Sequence, residues 1–234
     1  MPAYNEQAVI ETTLQELTAH LDSASFNYEI VVVNDNSQDD TEGVLQRSLA
    51  RFPRLRYLNN AGPNGYGYAI RKGLESYRGD AMVIVTSDGS DSPEDVAAYF
   101  RKIEEGYDCA FGARFVPGTT VKDYPPIKRL VNRLANRGLS QLLATDYTDF
   151  TNGFKCYRRH VVDAMQPLAS GQFNITVEMA VKAVLGGYRY AVVPTNWSQR
   201  AAGASTFKIM KMLKPYGASL AYALSAVYLR KSKR

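Results

Sequence analysis

The 234-residue chain is poor in the side chains that most often build metal clusters or nucleophilic centres, with two cysteines and two histidines. Cys109 and Cys156 lie far apart, the first inside an apolar strand-like segment. Their spacing makes no metal cluster, and buried free thiols in a reducing compartment are expected. His20 falls on a predicted surface helix and His160 beside Arg159, neither with a nucleophile or metal partner by spacing. No low-complexity tract, internal repeat or Gly/Ser/Pro linker interrupts the sequence, and α/β domains commonly run to ~200–250 residues around one core. A signal peptide is also missing, so the cytosolic side is expected. The uncharged C-terminal stretch from Gly217 to Leu229 has about 13 residues, short of the ~20 that cross a bilayer.

Strong charge is absent too. A net charge of +5 and a pI near 9.1 are mild for a nucleic-acid binder. The basic residues gather in Lys128–Arg137, Lys155–Arg159 and Lys208–Arg234 without the interleaved aromatics of a single-strand platform. Nucleic acid is therefore not expected as a partner. A basic surface with an apolar C-terminal segment fits an anionic membrane face better.

What the chain does have is alternation. Val9, Ile10, Leu14, Leu17 and Leu21 recur at helical spacing, and Glu29–Val33 reads as a short buried strand. Helices over Thr41–Arg51, Tyr66–Tyr77 and Glu94–Glu104 then alternate with strands over Leu55–Asn59, Met82–Thr86 and Cys109–Phe111. This alternation predicts a three-layer α/β fold with a mostly parallel sheet, whose right-handed crossovers bring the strands' carboxyl ends to one side. Further on, Pro125–Leu143 reads as a helix with basic residues on one face, Thr151–Tyr157 as short and extended, Thr176–Leu185 as helix and Tyr188–Trp197 as strand. The tail Phe207–Arg234 reads as helical, with Pro215 and Gly217 marking a break.

The most informative stretch is Val83-Ile-Val-Thr-Ser-Asp-Gly-Ser-Asp-Ser-Pro93-Glu94, an apolar run that stops at Asp88 and Asp91. Carboxylates following a buried strand stand where open α/β sheets bind ligands. Two hard oxygen donors there suit Mg²⁺ or Mn²⁺ together with substrate phosphate oxygens. The alternative is a polar turn in which Asp91 or Ser92 caps the next helix. Asn34-Asp35-Asn36-Ser37 also follows a strand and converges on the same crevice. The Asp35 carboxylate suits a base N–H or a ribose hydroxyl, or else caps the next helix with Ser37. Gly65 and Gly67 open the helix carrying Arg71, a turn whose N–H groups can approach a phosphate.

Taken in order, Met1-Pro-Ala-Tyr-Asn-Glu6, Val32-Val-Asn-Asp-Asn-Ser-Gln-Asp-Asp-Thr41, Asn64-Gly-Tyr-Gly-Tyr-Ala-Ile-Arg71 and Ser87–Asp95 resemble the motifs of family 2 glycosyltransferases. Gly112-Ala-Arg114, Asp149-Phe-Thr-Asn-Gly-Phe-Lys155 and Arg200-Ala-Ala-Gly-Ala-Ser205 resemble its polyprenyl-phosphate, dolichol-phosphate mannosyltransferase-like branch. The resemblance runs from residue 1 to about residue 208. It implies the glycosyltransferase-A fold, a nucleotide-sugar donor, a divalent metal and inversion at the anomeric carbon. Ala3, Tyr4, Glu6, Asp35, Gly65 and Arg71 then fall on the donor side, and Asp88 and Asp91 on the metal. Arg200 joins those two acids as a catalytic candidate. Arg114, Arg129, Arg133, Ser205 and Lys208 fall around an acceptor phosphate, with Asp149 and Glu178 as acceptor-side acids. A solvated helix face remains the alternative for Arg129 and Arg133, and a helix-face role for Glu178.

Departures from the family pattern are specific. Asp88-Gly-Ser-Asp91 replaces the commonest Asp-x-Asp, and Thr206 stands where a lysine usually follows Gly-x-Ser, the lysine being delayed to Lys208. With Met1-Pro2 at the start, most of the usual first strand is expected to be absent, either because translation starts upstream or because the sheet lacks part of a central strand. The sequence therefore reads as a catalytic domain over residues 1–206 with a truncated first strand, followed by a basic amphipathic tail over 207–234. Its expected activity is metal-dependent transfer of a hexose, from a GDP-mannose or UDP-glucose type of donor, to a polyprenyl or dolichyl monophosphate. The expected location is the cytosolic face of a membrane. A soluble saccharide acceptor, or a non-catalytic nucleotide-sugar-binding role, is the alternative. The tail is expected on an anionic membrane surface, or docked on its own domain or on a second copy in a homo-oligomer.

Overall fold

The structure is a computed structural model that describes residues 1–122, 124–197, 216–218, 220–222 and 224–225. Its first half alternates β1 (Pro2–Ala3), α1 (Ile10–Ser23), β2 (Ile30–Asn34), α2 (Thr41–Ser48), β3 (Leu55–Asn59), α3 (Tyr66–Leu74), β4 (Ala81–Val83), α4 (Pro93–Glu104) and β5 (Cys109–Ala113). The second half adds α5 (Pro126–Leu142), β6 (Lys155–Arg158), α6 (Arg159–Ala164), α7 (Ile175–Leu185) and β7 (Tyr190–Pro194).

The strands form two sheets. β1, β2 and β3 are mutually parallel, with Pro2 opposite Val33 and Ile30 opposite Leu55. The other sheet runs β4-β6-β5-β7, and there β6 is antiparallel to both neighbours while β5 and β7 are parallel. The expected α/β architecture with a mostly parallel arrangement therefore holds. The antiparallel β6 was legible only as an extended segment, because a strand's direction follows from its connections and not from its own pattern. β4 is shorter than expected. It ends at Val83, and Ile84 and Val85 continue into the core as non-strand backbone, Ile84 N–H reaching the Lys155 carbonyl at 3.1 Å. Asp88 is thus set back from the last paired residue by a buried connector.

Amphipathic spacing decides which helix faces turn inward. α1 buries Ile10, Leu14, Leu17 and Leu21, and these pack with Val32 of β2 and Val96 and Tyr99 of α4. Full burial of such a side chain contributes about 1.5–3 kcal/mol. A second cluster joins Phe111, Tyr147, Phe150 and Tyr157 to Ile175, Met179 and Val181 of α7. α5 departs from this rule, since its buried residues are Asn136 and Ser140. Asp123, residues 198–215 and most of the tail lie outside the described residues, so the expectations for Arg200, Ser205 and Lys208 fall there. The described part of the tail is helical. Tyr216 and Leu220 pack on the second cluster, and the Tyr222 hydroxyl donates to the Pro167 carbonyl at 3.2 Å.

Candidate active site

The carboxyl ends of β1 and β2 are tied together by their turns. Asp35 N–H donates to the Ala3 carbonyl at 2.8 Å, Asn5 N–H to Ser37 Oγ at 3.0 Å, and Glu6 N–H to Thr41 Oγ1 at 2.9 Å. The acid loop joins the same edge, because Ser87 Oγ donates to the Pro2 carbonyl at 2.9 Å and Thr13 Oγ1 to the Ser87 carbonyl at 3.1 Å. Gly89 follows at a φ of 72°, a left-handed conformation that glycine adopts without a steric penalty. Ala3 and Asp35 are buried at this edge, whereas Tyr4 is exposed. The turns after β1 and β2 and the acid loop therefore meet at one edge.

Within the acid loop, one oxygen of Asp91 accepts from both Thr86 N–H and Thr86 Oγ1 at 2.8 Å, and Asp88 Oδ1 accepts from Ser90 N–H at 3.1 Å. Burial pushes the Asp91 carboxyl up to about 6. The Thr86 bonds and the more distant Arg114 oppose the rise, and the Asp88 charge adds to it. No group of three or more His, Cys, Asp or Glu gathers around one point among the described residues. The two carboxylates remain a donor set of the kind Mg²⁺ and Mn²⁺ accept when a substrate supplies further oxygens. Their mutual repulsion is what a divalent cation would relieve.

Three residues take roles different from those the sequence suggested. The carboxylate of Asp35 accepts from Asn60 Nδ2 and from Gly65 N–H, each at 2.7 Å, so it fixes the turn before α3 instead of capping with Ser37. The glycines of that turn serve close packing. A Cβ on Gly67 would stand 2.5 Å from the Ser170 carbonyl and one on Gly65 2.3 Å from the Gly171 carbonyl. The N–H groups of Gly67 and Tyr68 both donate to the Gly171 carbonyl, at 3.1 and 3.2 Å. The helix start expected to meet a phosphate is thus met by the chain's own loop. Arg71, further along α3, lies over the Tyr68 ring at 5.8 Å.

Asp149 and Glu178 are both committed to the fold. Asp149 accepts from Arg114 N–H and Nε at 2.9 Å and from Arg114 Nη2 at 2.7 Å. This is a bidentate pair in which the side chains are 11% exposed for Arg114 and 1% for Asp149. The Arg114 fork is therefore spent on a carboxylate, not presented to an acceptor phosphate. Glu178 is buried and accepts from Ala169 and Ser170 N–H groups and from Lys182 Nζ at 2.8 Å. Burial works against its ionised form, but Lys182 and Ser170 hold it below the ordinary carboxylate range. It anchors the loop that packs on Gly65 and Gly67.

Beside the acid loop lies a wall that the sequence did not single out. Phe115 and Tyr124 rings meet edge to face at 5.5 Å, and Tyr124 and Trp197 at 5.1 Å. Arg129 lies over Phe115 at 5.3 Å and Lys128 over Tyr124 at 5.3 Å. Trp197 and Lys122 also line a cavity of about 430 Å³ shared with Gly89, Ser90 and Ser92 of the acid loop. The sole tryptophan was the available signal. Arg133 is exposed further along α5, away from this contact. Lys155 was missed as well. It is buried, donates to the Phe150 and Asn152 carbonyls, and burial lowers its amine to about 7.

Comparison with known proteins agrees with this geometry. A dolichol-phosphate mannosyltransferase of Pyrococcus furiosus is 30% identical over 215 residues, 89% of this chain and 58% of its own length. A polyprenol monophosphomannose synthase of Mycolicibacterium smegmatis is 28% identical over 211 residues, 88% of this chain and 78% of its own length. The chain spans 64% and 32% of the lengths of two further curated relatives. Among solved structures, glucosyl-3-phosphoglycerate synthase from Mycobacterium tuberculosis, in complex with Mn²⁺, UDP and phosphoglyceric acid, superposes with a TM-score of 0.68. It is 18% identical, over 97% of this chain and 76% of that one, and so shares the fold. The glycosyl transferase family 2 profile matches residues 1–165, which include the Asp35 turn, the Asp88–Asp91 loop and Arg114, and the chain belongs to that family.

Proposed function

We propose that this chain moves a hexose from a nucleotide diphosphate sugar to a polyprenyl monophosphate, with inversion at the anomeric carbon. The observation that carries the reading is the state of the two acids offered as bases. Asp149 and Glu178 are both locked in buried ion pairs. A sugar hydroxyl acceptor needs a base, whereas a phosphate monoester is already ionised at neutral pH and needs positioning. The wall of Phe115, Tyr124 and Trp197 carrying Lys128 and Arg129 offers both ring surface and cations, which suits a phosphate on an apolar chain. The names of the Pyrococcus and Mycolicibacterium relatives point the same way.

On the donor side, Tyr4, Glu6 and the Asp35 turn shape the nucleotide end of the crevice, and Asp88 and Asp91 stand at the diphosphate. Those two acids would hold a divalent ion, which would supply charge neutralisation for the leaving diphosphate. Arg200, Ser205 and Lys208 belong to the acceptor side on sequence grounds. Residues 1–206 form the transferase domain, working at a membrane's cytosolic face. No helix among the described residues is long and apolar enough to cross a membrane.

The test supplies the full chain with Mn²⁺, a panel of labelled nucleotide sugars and a polyprenyl phosphate. The expected product is a lipid-linked hexose that mild acid releases. Asp88→Asn should abolish the Mn²⁺-dependent rise in Tm with nucleotide sugar, while its ligand-free Tm stays within about 2 °C of the parent. Transfer to a soluble saccharide or phosphorylated acceptor, with the lipid phosphate ignored, would replace this reading by the soluble-acceptor one. Absence of nucleotide-sugar binding would leave a non-catalytic role.

A further inference from the structure

Thr86 stands between fixed neighbours. Ile84 and Val85 before it are buried, one in each core cluster. Ser87 after it is tied twice, by its own Oγ to the Pro2 carbonyl at 2.9 Å and at its carbonyl by Thr13 Oγ1 at 3.1 Å. From that fixed post Thr86 reaches across the acid loop. Its N–H and Oγ1 both donate to Asp91 Oδ2 at 2.8 Å, and Oγ1 lies 2.9 Å from Ser90 Oγ. A threonine hydroxyl carries one proton, and an ionised carboxylate only accepts. Thr86 therefore donates to Asp91, and Ser90 donates to Thr86. Both Thr86 donors fall on Oδ2, so neither occupies Oδ1.

We propose that Thr86 is a positioning residue of the divalent-metal site: its hydroxyl, ordered by Ser90, holds Asp91 Oδ2 and leaves Oδ1 for the cation. The inference rests on the reading of Asp88 and Asp91 as the metal pair, and it adds a residue that acts through Asp91. Carboxylates that ligate a metal are themselves hydrogen-bonded, and those partners set their orientation. What the partner is decides what the acid can still do. Asp149 is held by Arg114, whose guanidinium reaches both carboxylate oxygens and matches their charge. Asp91 is held on one oxygen by a neutral hydroxyl and an N–H, which fix its direction and leave its negative charge for a cation. The competing role is merely to hold the loop together, and Mn²⁺ binding separates the two.

The experiment titrates the full chain with Mn²⁺ in the presence of UDP, reading free Mn²⁺ by electron paramagnetic resonance. Thr86→Val keeps the shape and the N–H donor but removes the hydroxyl. Its Kd for Mn²⁺ should rise about tenfold or more, as for other residues that orient metal ligands. Thr86→Ser, which keeps the hydroxyl, should bind like the parent. Ser90→Ala, which removes only the group that orders the hydroxyl, should move the Kd in the same direction by less. In an Asp91→Asn background Thr86→Val should add little, because Thr86 acts through that carboxylate. In turnover the Mn²⁺ requirement of Thr86→Val should rise by a similar factor with kcat at saturating Mn²⁺ retained, whereas a collapsed loop lowers both. Unchanged Mn²⁺ affinity in Thr86→Val, or a parent that takes up no Mn²⁺, overturns the proposal. So do effects that multiply in the double variant, which would make Thr86 a ligand in its own right. Hexose transfer to polyprenyl phosphate is scored separately. A parent that binds Mn²⁺ through Asp91 but makes no lipid product overturns the proposed function and leaves the role of Thr86 standing.

Discussion

Replacing Asp149 by asparagine should weaken the fold around Arg114 and not merely remove a base. The Asp149 side chain is 1% exposed and receives three N–H groups of one arginine, at 2.7–2.9 Å. Asparagine keeps the shape but offers one acceptor oxygen in place of two, points an NH₂ at a guanidinium donor, and leaves a cation with 11% exposure uncompensated. Removing one partner of a buried pair costs about 3–5 kcal/mol. For a chain of this size about 2–4 °C of Tm goes with each kcal/mol, so Tm should fall by about 6–20 °C. Thermal and urea unfolding followed by circular dichroism measure this directly. An Arg114→Met, Asp149→Leu double variant should recover most of the loss, because the penalty lies in the unpaired charge and not in the missing contacts. An Asp149→Asn protein with unchanged Tm and kcat reduced about 100-fold or more would refute the reasoning and restore Asp149 as a base.

Two further outcomes are expected. Glu178→Gln strips the charge facing buried Lys182 and weakens the hold on Ala169 and Ser170. Stability should drop by about 3 kcal/mol, and donor KM should rise more than acceptor KM, because the released loop caps the α3 turn that Asp35 fixes. Titration with lipid acceptor and with donor separates the two. For Lys155, burial lowers the folded-state amine from 10.5 to about 7, so between those values the unfolded chain carries the extra proton and stability rises with pH. The slope should reach about 1.4 kcal/mol per pH unit and vanish in Lys155→Met, read by urea unfolding at pH 7.5 and 9.5. Parallel pH dependences in the two proteins would remove Lys155 from the account.

Local pattern carried much of the fold into view. Ile10, Leu14, Leu17 and Leu21 announce their helix by spacing, and Val31–Val33 their strand, because burial of a periodic face is a property of the segment itself. The crevice was legible for the same reason, since Asp35 and Asp88 follow apolar strands whose carboxyl ends share an edge. What stayed hidden depends on residues distant in sequence. Nothing near Asp149 shows that Arg114, 35 residues away, reaches both of its carboxylate oxygens. Nothing near Gly67 shows that its missing Cβ makes room for the Ser170 carbonyl. α5 misled in an instructive way. Its basic residues were visible, but which face met the core depended on whether Thr151 offered a polar surface, and Asn132 and Asn136 took it.

The acids of this chain divide by what burial has done to them, and the division locates the chemistry. Asp35, Asp149 and Glu178 each received donors from elsewhere in the chain, namely Asn60 and Gly65 N–H, the Arg114 fork, and Lys182 with two loop N–H groups. Those carboxylates are settled, and the folded chain itself is their ligand. Asp91 differs. Its nearest bonds come from a neutral threonine, and burial and the Asp88 charge still lift its carboxyl to about 6. The two acids stand as a like-charged pair at the mouth of the crevice, with Arg114 in electrostatic range and bonded to Asp149. A divalent cation held by Asp88 and Asp91 would relieve this repulsion without adding a buried side chain. Arg114, Lys155 and Lys182 bond to the chain's own oxygens, and Lys128 and Arg129 stand over the Tyr124 and Phe115 rings.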